Sequence, residues 1–182
     1  MFARLAVLFA FALAAALPAA AQKTPDPENI LVLETNKGAV EIALRPDLAP
    51  KHVARIKELA REGFYDGVVF HRVIEGFMAQ TGDPTGTGSG GSKLPDLEAE
   101  FTSTPYERGT VGMARAQSPD SANSQFFIMF NRVSSLDGKY TVFGEVIEGM
   151  DVVDTIKKGS QSAKGQVSNP DKIVKAYIKA DK

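Results

Sequence analysis

The residue types best suited to chemistry are gathered in one stretch, Phe70-His71-Arg72-Val73-Ile74-Glu75-Gly76-Phe77-Met78-Ala79-Gln80-Thr81-Gly82-Asp83. An arginine side chain is a lasting cation with five N–H donors in a planar fork. Arg72 sits among apolar neighbours on a strand-like segment. It can be half of a structural salt bridge or a donor aimed at a polar ligand group, and residue types alone leave both open. Phe77 and Met78 read first as core residues, as do the aromatics of a second cluster, Ser124-Gln125-Phe126-Phe127-Ile128-Met129-Phe130.

Other chemistries are poorly supplied. The chain has no cysteine, which removes disulfides, thiolate metal sites, cysteine nucleophiles and lipid attachment through Cys. His52 and His71 are the only histidines, too few for a His-rich metal site. Gly86-Thr87-Gly88-Ser89-Gly90-Gly91 satisfies G-x-G-x-x-G on paper. A dinucleotide site needs a helix directly after that pattern, and Pro95 interrupts one here, so a surface Gly-rich loop is expected. No G-x-S-x-G elbow, P-loop or H-E-x-x-H helix is present. Lys plus Arg number 21 against 22 Asp plus Glu, a balance that offers nucleic acid no electrostatic footprint and a membrane no polybasic anchor.

The elements that must position these residues read as one mainly β domain. Residues 1–21 are set apart first: Arg4, the apolar run Leu5 to Leu17, Pro18 and Ala19-Ala20-Ala21 match an export signal cleaved before Gln22. The run falls short of the roughly 20 residues that span a bilayer, so no membrane anchor is expected. Residues 22–29 read as a flexible leader, and 30–182 as the folded domain.

Ile30 to Thr35 and Ala39 to Leu44 flank Asn36-Lys37-Gly38 as a hairpin. Pro50 opens a helix with Val53, Ile56 and Ala60 on one face, closed at Gly63. Further strands are expected at 68–73, 76–80, 110–114, 125–130, 140–147 and 173–178. A second helix is expected from Met150 to Lys158, followed by an exposed loop from Ser160 to Pro170. Many short strands with two helices imply a closed or nearly closed antiparallel sheet.

The chain resembles the cyclophilins, peptidyl-prolyl cis–trans isomerases built as a closed eight-stranded antiparallel β-barrel capped by two α-helices. The resemblance runs through Gly63-Phe64-Tyr65-Asp66-Gly67, Phe70-His71-Arg72 and Gly76 to Gly88. It continues in Gly112-Met113-Ala114-Arg115, Ser124 to Ile128, Leu136-Asp137-Gly138 and Val142-Phe143-Gly144. It implies a catalytic role for Arg72, a proline pocket lined by Phe77, Met78, Phe127 and Leu136, and contacts to the substrate backbone from Gln80, Ala114, Arg115 and Gln125. Tyr140 stands where many members have a pocket His, Arg115 where many have Asn, and Ser135 where drug-sensitive members have Trp.

These departures are similar to those of bacterial cyclophilins and imply weak cyclosporin binding, since a serine offers neither an indole N–H nor its apolar face. The resemblance calls for no cofactor and no metal. It implies proline-containing peptides and folding exported polypeptides as partners, a monomer, and a periplasmic location with secretion as the other outcome of export. Two other uses of such a fold are a proline-peptide-binding chaperone without catalysis and a hollow barrel for a small ligand.

Overall fold

The computed structural model describes residues 25–182, so the expected export signal at 1–21 and the start of the leader lie outside the described residues. Strands β1 (Ile30–Thr35) and β2 (Gly38–Leu44) form the expected hairpin, with Ile30 opposite Ala43 and Thr35 opposite Gly38. Helix α1 (Pro50–Arg61) follows. Its first turn tolerates Pro50 because that N–H has no helical partner anyway. His52, Val53, Ile56, Leu59 and Ala60 are buried on its inner face. Gly63 takes φ +70° just past its end, a conformation costly to any residue with a Cβ. Of the expected leader, Pro27–Asn29 forms a single 3-10 turn, and Glu28 pairs with Lys57 and Arg61 of α1.

The remaining strands are β3 (Arg72–Ile74), β4 (Met78–Thr81), β5 (Thr110–Met113), β6 (Phe126–Met129), β7 (Val142–Glu148) and β8 (Ile173–Ile178). They form one eight-stranded antiparallel sheet in the order β3-β4-β6-β5-β7-β2-β1-β8. The sheet is open and curls into a half-barrel with two helices, which corrects the expected closed barrel.

Closure fails because the chain from Val68 to His71 is not a strand, contrary to the expected element at 68–73. With Gly67 before it, that segment is tied to the first residue of β8 and to the loop before it by separate backbone bonds: Gly67 N to Ile173 O, Ile173 N to Val68 O, Phe70 N to Asp171 O and Val167 N to His71 O. Among the described residues the seam carries two isolated bridges, Val69 to Lys172 and Arg72 to Gln166, and no continuous ladder. Helix α2 (Met150–Thr155) is also shorter than expected. Ile156 turns to extended backbone, and Lys157 N donates to Asp171 Oδ2 at 2.8 Å, drawing the chain off the helix.

Alternation along the strands builds two cores on opposite faces. Phe126 and Ile128 of β6, with Val111 and Met113 of β5, pack inside with Leu31, Leu33, Ile42, Phe143 and the buried face of α1. That interior is filled by side chains, unlike the hollow barrel that a small ligand would need. Phe127 and Met129 point the other way and pack with Met78, Tyr106 and Val142. The candidate site is built on this second, smaller core.

Candidate active site

One row of residues crosses four strands in register: Arg72 on β3 lies opposite Gln80 on β4, Gln80 opposite Phe127 on β6, and Phe127 opposite Gly112 on β5. Residues opposite one another in a sheet share a face, so the pairing alone puts the guanidinium, the amide and the phenyl ring on one surface. Phe77 enters from the turn before β4, Leu136 from the 3-10 turn Ser134–Leu136, and Ala114, Arg115 and Tyr140 from the loops beside them.

Together Arg72, Phe77, Met78, Gln80, Ala114, Arg115, Phe127, Leu136 and Tyr140 line a cavity of about 210 Å³. Met78 and Phe127 are buried and form its apolar floor. Gln125 is the one residue of the expected set outside this cavity; it lines an adjoining, more polar one of about 530 Å³ together with Gln80, Ala114 and Arg115.

Arg72 makes no ion pair among the described residues, which removes the salt-bridge alternative. Its Nε donates to Lys164 O at 3.2 Å and its Nη1 to Gln80 Oε1 at 3.2 Å, leaving Nη2 without a partner among the described residues at the cavity. Gln80 Nε2 donates in turn to Gln125 Oε1 at 2.9 Å. Gln125 Nε2 donates to the carbonyls of Gly88 and Gly90 at 3.1 and 2.8 Å. The guanidinium is thereby the exposed end of a hydrogen-bonded chain rooted in the Gly-rich loop.

Asp83 anchors that loop. It is fully buried and accepts from the N–H groups of Thr85, Gly88 and Gly90 and from the Thr85 hydroxyl, at 2.6 to 3.1 Å. Burial opposes its charge, but these donors outweigh it and hold the carboxyl at about 2.

Three features escaped the sequence reading. Tyr106 is buried beneath Phe127, ring centroids 5.7 Å apart and nearly parallel, and its hydroxyl has no hydrogen-bond partner among the described residues. It fits because position 112 is glycine: a Cβ there would meet Tyr106 Oη at 2.3 Å and Phe127 Cζ at 2.8 Å. A glycine inside a strand is the signal that could have revealed this close approach. The third is the stack of the Arg115 guanidinium on Tyr140, 4.5 Å from the ring centre, with Tyr140 itself edge-on to Phe127 at 5.9 Å.

The family model for cyclophilin-type peptidyl-prolyl cis-trans isomerases matches residues 30–178. A probable peptidyl-prolyl cis-trans isomerase of Brucella suis is 60% identical over 167 residues, covering 86% of this chain and 85% of the relative. The human peptidyl-prolyl cis-trans isomerase-like 1 is 39% identical, covering 83% of this chain and 92% of the relative. Among solved structures, a cyclophilin from Hirschia baltica superposes with TM-score 0.79 at 31% identity, covering 88% of this chain and 77% of its own. A cyclophilin-type isomerase of Cryptosporidium parvum, solved in the presence of the dipeptide Ala-Pro, gives TM-score 0.75 at 29% identity, covering 82% and 98%.

An eight-stranded half-barrel with an arginine beside a small pocket of apolar floor thus falls in a defined class, the prolyl isomerases of cyclophilin fold. The chain belongs to the cyclophilin-type peptidyl-prolyl cis-trans isomerases and catalyses rotation about X-Pro peptide bonds.

Proposed function

We propose that Arg72 is the catalytic residue and that the 210 Å³ cavity takes the proline ring of an exported polypeptide. The observation that carries this reading is the unpartnered Nη2 of Arg72, held beside that cavity by Lys164 O and Gln80.

Rotation about an X-Pro bond must break amide resonance, with a barrier of about 18–20 kcal/mol. In the twisted form the prolyl nitrogen regains a basic lone pair. A donor aimed at that nitrogen binds the twisted amide and not the planar one, which is the condition for raising the rate. Arg72 is that donor. The floor of Met78 and Phe127 and the walls of Phe77 and Leu136 exclude water around the ring, while Gln80, Ala114, Arg115 and Gln125 hold the peptide backbone. Tyr140 closes the pocket against Phe127. No proton changes hands, so no general acid or base takes part. The Ala-Pro dipeptide present with the Cryptosporidium relative supports proline-containing peptides as the ligand class.

Residues 1–21 are proposed to direct export to the periplasm and to be cleaved before Gln22, leaving a leader of 22–29 and a monomeric domain of 30–182; the support is the run Leu5 to Leu17 followed by Ala19-Ala20-Ala21. Ser135, exposed in the 3-10 turn beside Leu136, supports weak cyclosporin binding.

The test is NMR exchange spectroscopy on an Ala-Pro-Phe peptide with the chain from Gln22 and its Arg72→Ala variant. One well-placed donor is worth about 3–4 kcal/mol, so the variant is expected to lose about 100- to 1000-fold in turnover while keeping its fold. A variant that folds and keeps full turnover refutes the role of Arg72.

A further inference from the structure

Among the described residues, Arg45, Arg55, Arg61, Arg108 and Arg132 each stand within 3.9 Å of a carboxylate. Only Arg72 and Arg115 do not, and both line the proline cavity. Arg72 is accounted for by the rotating amide. Arg115 is left as a second uncompensated cation.

Its place is well fixed. Nη1 donates to Ala116 O and Gln117 O at 2.9 and 3.1 Å, and Nε and Nη2 donate to Lys139 O at 3.4 and 3.1 Å. The Tyr140 ring lies against the guanidinium plane. Carbonyl dipoles hold such a group in position, but they carry no net charge to cancel its own. One N–H of Nη2 stays unused. Arg115 stands on the wall shared by the small cavity and the larger, more polar one, and the only carboxylate among the described residues that line the latter, Asp96, accepts from Asn123 Nδ2 at 3.0 Å. A peptide whose proline fills the small cavity and whose backbone runs into the larger one passes directly over this charge.

Building on the proposed seat of the proline, we propose that Arg115 is a specificity-determining residue that makes the enzyme favour substrates with an Asp or Glu within two residues of the proline. A half-buried pair of this kind brings about a two- to five-fold advantage, and it weakens as salt screens it.

The experiment uses blocked Ala-Ala-Ala-Pro-Phe-Ala peptides in which Glu, its uncharged isostere Gln, or Lys replaces in turn each of the two residues before and the two residues after the proline. Affinity is read by titration and turnover by exchange spectroscopy, at low and high salt. At one placement Glu is expected to exceed Gln by two- to five-fold in affinity and in kcat/KM, with Lys below Gln and the gap narrowing in salt. Arg115→Met is expected to bring the Glu-to-Gln ratio to about one, while Arg115→Lys retains it. The ratio is read within each variant, so a change in absolute rate does not disturb it.

Equal Glu and Gln binding by the wild type at every placement overturns the proposal even if Arg115→Met fails to fold. An advantage that survives in a folded Arg115→Met protein overturns it as well. Glu-selective binding without any acceleration upholds the role of Arg115 and refutes the catalytic reading of the pocket.

Discussion

Phe127 owes its position to two residues that never touch the cavity. Gly112 supplies the space and Tyr106 fills it, so the phenyl ring is backed by another ring and cannot sink into the sheet. Gly112→Ala would put a methyl group into occupied volume; overpacking of this kind costs about 1–3 kcal/mol. The expected outcome is a lower melting temperature together with a raised KM, since Phe127 is pushed toward the proline seat; calorimetry and peptide titration check the two effects separately. Tyr106→Phe should do the opposite to stability. The phenol buries an oxygen without a partner, and an unsatisfied polar group of that kind costs about 1–3 kcal/mol. The Phe variant is expected to melt higher with peptide affinity unchanged. A lower melting temperature would mean that the hydroxyl has a partner in solution.

The segment from Asp83 to Gly91 has almost no regular structure, yet it determines where the β3–β4 pair presents its guanidinium. Asp83 gathers the N–H groups of the loop, the loop carbonyls hold Gln125, Gln125 holds Gln80, and Gln80 holds Arg72. Asp83→Asn removes the charge from this centre and replaces an acceptor oxygen by a donor facing other donors. Faster amide exchange at Gly88 and Gly90 is expected, with a several-fold loss in kcat/KM and intact sheet signals. Unchanged exchange at those two glycines would show that the loop is held by something else. The charge also sets an acid limit. With its carboxyl at about 2 in the folded chain against 3.8 unfolded, Asp83 contributes stability that is complete above pH 4 and lost as pH falls from about 4 to about 2.

For the molecule as a whole, catalysis and stability should respond differently to pH. Arginine stays charged throughout the range in which proteins survive. Both histidines are buried: His52 Nδ1–H donates to the Glu100 carboxylate at 2.6 Å, and among the described residues neither ring nitrogen of His71 has a hydrogen-bond partner. Burial lowers both histidines below their ordinary value, against the pull of Glu100 on His52 and of Asp83 on His71. The unfolded chain therefore binds more protons than the native one once pH drops below about 6.5, and stability falls with pH from there. Turnover is expected to be nearly flat between about pH 6 and 8, while the urea midpoint declines below about 6.5. A bell-shaped rate profile centred near pH 6.5 would show a histidine in the chemistry and undo the proton-free mechanism.

Local pattern determined much of this by itself. The hairpin of β1 and β2, the opening of α1 at Pro50, and β8 at 173–178 all follow from alternation, helical spacing, proline and glycine, because each is a short-range effect. The expected site set was legible through the family resemblance, and eight of its nine pocket-lining residues beside Arg72 do share the small cavity. What the tertiary structure alone decided depends on strands distant in sequence. Residues 68–71 have strand-like side chains, but they meet β8 and the loop before it through single backbone bonds and one isolated bridge and not through a ladder, so the sheet stays open at that edge. Phe126 and Phe127 are identical residues side by side, and only the pairing with β4 and β5 sends one to the interior and the other to the pocket. The support beneath Phe127, and the free charge of Arg115 beside a cavity, arise from which neighbours the fold brings close and which carboxylates it keeps away. Those are long-range facts, and no local pattern encodes them.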